Sequence, residues 1–496
     1  MKHRLADLLA LALALTGFAA AAWTATTVFE RLPHIEDEFA NLWQAHAMAQ
    51  GEAYLASPPE AAAFRIPFVV DYEGRRFGKY PPGWPAALAL GVRLRAAWLV
   101  NPLLAGLIVW LVYRLGSRFG GPGVGILAAG LTCVSPMFLM LSGSFMSHTL
   151  SILLSLAFLL AWLDLFGDRA PPTPSGLLVL CAGGSLGLLA LTRPLTAAAF
   201  TLPFALHGLY LLACRRPGAA RHLLGIALLS LSLAALLPVW YYALTGHPDV
   251  NPYLVWWPYD RIGFGPGHGR LPEGHTLYQA YINTKFSLRV GLHDLFGWPG
   301  LSWIFLPFGI VGLRRSPRAW LLIALLPCLM LAYAAYWITP WLYGPRYYVE
   351  ALPALAVLSA AGVACLAGLL FRSPGRWNVR QLVVGALLAG LLATNVVYYL
   401  PVRLGGMRGL YSVSRQLMAP FGEADLCNSL VVIRMAHEWG ECAAPATLTP
   451  PFEDHGFLVA CRLSEQTPGQ LAAAFPGRRI LLYDIRHPGE FRPFAR

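Results

Sequence analysis

Glu36, Asp37 and Glu38 are three consecutive carboxylates in a chain of which only 12% is charged, and they follow directly on its first long apolar run. Farther along the same polar segment, Lys79 stands just ahead of the pair Pro81-Pro82 in "RRFGKYPPGWPAAL". A carboxylate can take the proton of an attacking hydroxyl or amine, and a Lys or Arg can neutralise a phosphate that leaves. Acid and base at the two ends of one membrane-side loop therefore suit a lipid-phosphate substrate. The same acids have a plainer reading, because carboxylates in the first turn of a helix are favoured by its dipole. Both readings stand on composition alone.

The elements that must position these groups are membrane helices. The chain has 496 residues, is 57% hydrophobic and carries a net charge of +12. Repeated apolar stretches of about 20 residues, each able to cross a hydrocarbon core of roughly 30 Å, define an all-α polytopic membrane protein. Eleven crossings are expected, near 5–29, 97–114, 122–141, 147–166, 176–192, 195–213, 221–243, 297–313, 319–338, 351–371 and 380–399. The apolar part of Leu5–Val28 exceeds the usual signal-peptide core, so it reads as an uncleaved span. Tyr80–Leu94 is short, opens with prolines and is followed closely by charge, which suits an interfacial or re-entrant helix.

Charge tests this arrangement. With the N-terminus in the cytoplasm, the loops "RLGSRFG", "GDRAPP", "CRRPGAARH", "RRSPR" and "FRSPGRWNVR" face inward and hold twelve Arg residues. Counting Tyr80–Leu94 as a span would place all of them outside, against the positive-inside rule. The expected domains are thus 1–400, a transmembrane unit with outer loops 30–96 and 244–296, and 401–496, a small extracytoplasmic α/β domain. The latter rests on the strand-like runs "SLVVIRM", "GFLVACRL" and "RILLYDI" and the helix-like "TPGQLAAAF". The positive charge is spread over short loops, which excludes a nucleic-acid surface.

The second outer loop is rich in Trp, Tyr, Gly, Pro and His; aromatic rings suit both sugar stacking and the membrane interface. His247, Asp249, His268, His275, His293 and Asp294 match no compact metal motif, so neither metal nor other cofactor is expected. Arg193, in "LTRPLTA" at the outer end of a span, either snorkels to the interface or lines a substrate cavity. Cys133, Cys181, Cys214, Cys328 and Cys365 lie in or beside apolar runs, whereas Cys427, Cys442 and Cys461 fall in the tail. A Cys427–Cys442 pair is conceivable there, although the odd third thiol speaks against it.

The "DE" after the first span, the following helix ending in Ala-x-Gly, and "GKYPPGWPAAL" resemble the GT-C membrane glycosyltransferases, in particular the protein O-mannosyltransferase and lipid A aminoarabinose transferase families. "TRPLTA" after the fifth span and "YGPRYYVEALPALAVL" entering the tenth extend the resemblance over roughly the first 400 residues. It implies transfer of a sugar from a polyprenyl-phosphate carrier to a lipid, glycan or protein acceptor on the non-cytoplasmic face, with inversion at the anomeric carbon. The setting would be a bacterial cytoplasmic (inner) membrane. By position, Asp37 resembles the catalytic carboxylate, Glu38 its neighbour in the acidic pair, and Lys79 and Arg346 the residues that meet the carrier phosphate. Relatives often carry a second carboxylate just after the third span; here "SGSFMSHTLS" places His148 there. His148 either positions a substrate, exchanges a proton or makes a structural hydrogen bond.

Two other classes compete. A transporter or flippase would place ionisable groups deep within several spans and often shows internal repeats, and neither feature is visible. A catalytically silent scaffold is opposed only by the resemblance at Asp37, Lys79 and Arg346.

Overall fold

A computed structural model describes residues 2–167, 173–340, 342–370, 378–449 and 456–494. Among the described residues, eight helices are long and apolar enough to cross a membrane, and nine spans result if one bent pair counts as a crossing. The chain is a multi-pass membrane protein. The eight match expected crossings one for one. The remaining three differ. The 122–141 region breaks into Pro122–Cys133 and Pro136–Gly143, inclined at 60°. Pro136 cannot continue the first helix, and Ser135 restarts the second by accepting a hydrogen bond from the Phe138 amide at 3.3 Å. Ala319–Ala334 spans 16 residues, and only Leu306–Leu313 is helical in the 297–313 region.

Arg346–Leu366 is the central helix, with 83% of its apolar window buried; Ala219–Thr245 and Val379–Gly405 are peripheral, at 11% each. Their Leu228, Leu231, Val383 and Val397 side chains are left exposed, as lipid-facing residues are. The central helix meets Leu306–Leu313 backbone to backbone. A Cβ on Gly309 would overlap the Leu358 carbonyl, and one on Gly362 the Phe305 carbonyl, so both positions require glycine.

The 30–96 loop opens with the acidic helix Glu36–Ala49. It continues into a three-stranded antiparallel sheet in the order Leu55–Ala56, Arg75–Gly78, Val69–Tyr72. Glu73 and Gly74, both at positive φ, form the tight turn of its hairpin. Gly83–Arg93 is an 11-residue helix, about 16 Å long at 1.5 Å per residue and too short to cross. In the 244–296 loop, the long helix Leu277–Asp294 starts with a capping box between Thr276 and Gln279.

The three runs expected as tail strands are strands. Phe457–Cys461, Ser429–Arg434 and Arg479–Asp484 lie parallel in that order, and Phe491–Pro493 adds an antiparallel edge. The central strand is covered on both faces, which explains its unbroken apolar run. Helix Thr467–Ala474 packs on one face together with Ala63 and Phe64 of the 30–96 loop. Phe39 of the acidic helix packs on Val413, Ala443 and Ala444. The disulfide joins Cys442 to Cys461 rather than Cys427 to Cys442. Cys461 ends its strand with its Cα 5.8 Å from that of Cys442, within bonding geometry, and Cys427 is an exposed free thiol ahead of the central strand.

Candidate functional site

The acidic helix starts because Ile35 is extended and the chain turns helical at Glu36. Successive residues of a helix point about 100° apart, so three adjacent acids cannot share one environment. Asp37 and Glu36 line a cavity of about 560 Å3. Glu38 turns the other way and is fully buried. Its Oε2 accepts the Phe145 amide at 3.1 Å and its Oε1 pairs with the Tyr343 hydroxyl at 2.8 Å. Glu38 is thus no part of the cavity wall, contrary to its place beside Asp37 in sequence. It ties the acidic helix to the segments that carry His148 and Arg346. Burial raises its pKa to about 7.

Strand Arg75–Gly78 is anchored on the same helix. Gln44 accepts the Gly78 amide at 2.8 Å, and its own amide donates to the Ala53 carbonyl at 2.8 Å. A Cβ at Gly78 would stand 3.1 Å from the Ala40 carbonyl, so glycine lets strand and helix approach closely without displacing either. The strand delivers Lys79 and Tyr80 to the cavity. Tyr80 donates to Asp37 Oδ1 at 2.7 Å. Lys79 Nζ lies 3.4 Å from Asp260 Oδ2 and sits over the Phe68 ring at 3.7 Å, with Tyr253 and Trp257 each at 4.9 Å. Burial lowers the Lys79 pKa, and the charge of Asp260 opposes that shift. Asp260 Oδ1 also accepts from Tyr336 at 2.7 Å and Trp337 at 3.0 Å.

Arg346 begins a short 3-10 helix at the mouth of the central span. Its Nη2 lies 3.6 Å from Asp37 Oδ2, an open ion pair whose side chains keep 12% and 23% of their exposure. Arg193, in the break between helices Ser175–Thr192 and Pro194–Ala213, reaches Glu350 Oε1 at 3.3 Å, Thr196 Oγ1 at 3.1 Å and the Tyr333 hydroxyl at 2.9 Å. It lines the cavity rather than snorkelling away. His148 lies on the same wall, its Nε2 at 2.9 Å from Arg193 Nη1.

Five of the six candidate residues, Asp37, Lys79, Arg346, His148 and Arg193, therefore meet in one cavity formed by both long loops and the ends of the spans. Asp260 and Glu350 were not anticipated. Glu350 carried a signal, since a carboxylate in an apolar run entering a span marks a functional or paired group. Asp260 follows the aromatic run Trp256-Trp257-Pro258-Tyr259, and its partner Lys79 belongs to the other loop. The His and Asp residues of the second outer loop scatter. His275 bonds to the Ala334 carbonyl, Asp294 is held by Arg403 and Tyr399, and His247 and Asp249 are exposed. Among the described residues no three His, Cys, Asp or Glu gather as ligands.

This architecture is similar to that of solved GT-C glycosyltransferase structures. No protein-family model matches the chain, and no curated protein sequence does. The likeness is to solved structures. ArnT from Cupriavidus metallidurans in the apo state is 14% identical with a TM-score of 0.55, over 88% of this chain and 84% of that one. The same protein bound to undecaprenyl phosphate is 13% identical with a TM-score of 0.56, over 97% and 89%. The archaeal oligosaccharyltransferase AglB from Archaeoglobus fulgidus is a looser match, 14% identical at a TM-score of 0.48, over 87% and 63%.

Proposed function

We propose that the protein is a glycosyltransferase that moves a sugar from a polyprenyl-phosphate carrier to a hydroxyl or amine acceptor, at the non-cytoplasmic face of the membrane and with inversion. The observation that carries this reading is the open pair Asp37–Arg346 in a cavity at the span ends. One member is a carboxylate able to take a proton, and the other is a guanidinium whose fork fits a phosphate. The fold shared with ArnT, which has been seen with undecaprenyl phosphate, supports a lipid carrier. The Cys442–Cys461 disulfide supports an oxidising, extracytoplasmic tail, and the tail packs on the loop that carries Asp37.

In this reading the carrier's phosphate draws Arg346 away from Asp37, which frees the carboxylate beside the acceptor. The acceptor oxygen or nitrogen attacks the anomeric carbon and its proton passes to Asp37. The bond from that carbon to the phosphate oxygen breaks, and the electron pair stays on the phosphate near Arg346. Phosphate is already a good leaving group, so one base is sufficient. Lys79, held by Asp260, keeps positive charge at the same wall. The aromatic side chains of Tyr253, Trp257, Tyr336 and Tyr347 around the cavity suit a sugar ring.

Mass spectrometry of lipids that copurify with the protein tests the proposal. A polyprenyl-phosphate sugar bound to the wild type is expected and would name the donor. A purified protein that neither retains nor binds any polyprenyl phosphate would refute it.

A further inference from the structure

His148 is 1% exposed, opens the helix His148–Leu165 and lines the cavity. Its partner on one side is Arg193, and a guanidinium only donates hydrogen bonds. Nε2 must therefore present its lone pair, and the neutral ring carries its proton on Nδ1. That Nδ1 has no partner among the described residues. The ring is fixed from behind. Arg193 is gripped by Glu350, Thr196 and Tyr333, and Glu350 in turn receives the Ser151 hydroxyl.

A second buried donor of the same cavity is equally unmatched, the Arg346 Nε. The two groups are joined through aromatic rings. Tyr333, bonded to Arg193, stacks on Tyr347 at 4.7 Å, and Tyr347 is the neighbour of Arg346. Two buried N–H donors without acceptors, carried by residues that line one cavity, describe the complement of an oxygen acceptor.

We propose that His148 Nδ1 and Arg346 Nε bind the same phosphate group of the carrier, with His148 neutral throughout. This rests on the polyprenyl-phosphate reading and adds to it a donor that carries no charge. It also removes His148 from proton exchange. Protonating Nε2 would forfeit the Arg193 contact and set a cation against a cation, so the acceptor's proton is left to Asp37.

Two amide substitutions separate the two ring nitrogens. In His148→Asn the side-chain amide nitrogen falls near the place of Nδ1, whereas in His148→Gln the carbonyl reaches the place of Nε2 and still accepts from Arg193. Binding of undecaprenyl phosphate to the purified full-length protein is measured for both, beside thermal unfolding. His148→Asn is expected to keep affinity within about threefold of wild type, and His148→Gln to lose about tenfold or more, with both folded. The reverse order would assign His148 to holding Arg193 and overturn the proposal. So would wild-type affinity in both variants, or equal loss in both. A wild type that fails to bind undecaprenyl phosphate removes the carrier reading and this one together. A wild type that binds while His148→Gln is unaffected removes this one alone.

Discussion

The cavity has an open corner, and beneath it lies a closed floor of packing that forms none of the cavity wall; consecutive residues supply the two. Asp37, in the open corner, faces Arg346 across 3.6 Å with both side chains partly exposed. Glu38, in the floor, is sealed between the Phe145 amide and the Tyr343 hydroxyl. A long, partly exposed ion pair exchanges partners more easily than a sealed carboxyl does. In the proposed reaction, reactivity belongs to the open corner and geometry to the floor. The Lys79–Asp260 pair is intermediate, charged like the corner but buried and caged like the floor.

The largest effect is expected at the open corner. Asp37→Asn keeps the shape and removes the basicity, and turnover should fall about 10²-fold or more while undecaprenyl phosphate binding is retained. Full activity in this variant would erase the distinction between corner and floor. Arg346→Ala should weaken undecaprenyl phosphate binding about tenfold or more in a direct binding assay, with Arg346→Lys in between because charge is kept and the fork is lost.

A smaller effect is expected at the caged pair. Burial lowers the Lys79 pKa and Asp260 partly restores it, so Asp260→Asn should lower it further. Carrier affinity in the variant should then fall at a lower pH than in wild type, as Lys79 loses its proton. Superimposable pH profiles for the two proteins would show that Asp260 does not tune Lys79.

The smallest effect on turnover belongs to the floor. Glu38→Gln offers a carbonyl to Phe145 and an amide to Tyr343, and activity should stay within a few-fold of wild type. Stability is the sharper readout. The folded-state pKa of Glu38 is raised from 4.5 to about 7, so its protonated form is the stabilised one. Its contribution is full below the unfolded value and is lost as pH rises through about 7. Thermal unfolding in detergent should show a downward slope between pH 4.5 and about 7 that Glu38→Gln flattens. An unchanged slope in the variant would assign that pH dependence to other groups.

Apolar length and loop charge made most of the spans legible, because crossing a bilayer is a local requirement on composition. The bent 122–143 segment was less so, since a Pro136 restart and a kink within one span look alike in sequence. Asp37 and Lys79 were legible as candidates that one cavity could bring together, as it does. Their separation from Glu38 was not, because the acids differ only in the direction each faces on a helix whose packing is tertiary. Asp260 and Glu350 depend on partners in distant segments, Lys79 and Arg193, and no local pattern announces such pairs. The disulfide fell the same way. Cys461 comes beside Cys442 only once its strand pairs with Ser429–Arg434.

The packing of Ala63 and Phe64 against the sheet built on Leu430 and Val432 has a consequence for how the protein is made. The 30–96 loop is synthesised early, and the strands that cover it come near the end of the chain. At about 5–20 residues per second, the interval is some tens of seconds. During that time the loop holding Asp37 and Lys79 lacks its partner surface. A nascent chain stopped before Ser429 should therefore expose that loop to protease even with the preceding spans inserted, and the candidate site built on the 30–96 loop should mature only once the strands between Ser429 and Asp484 are made.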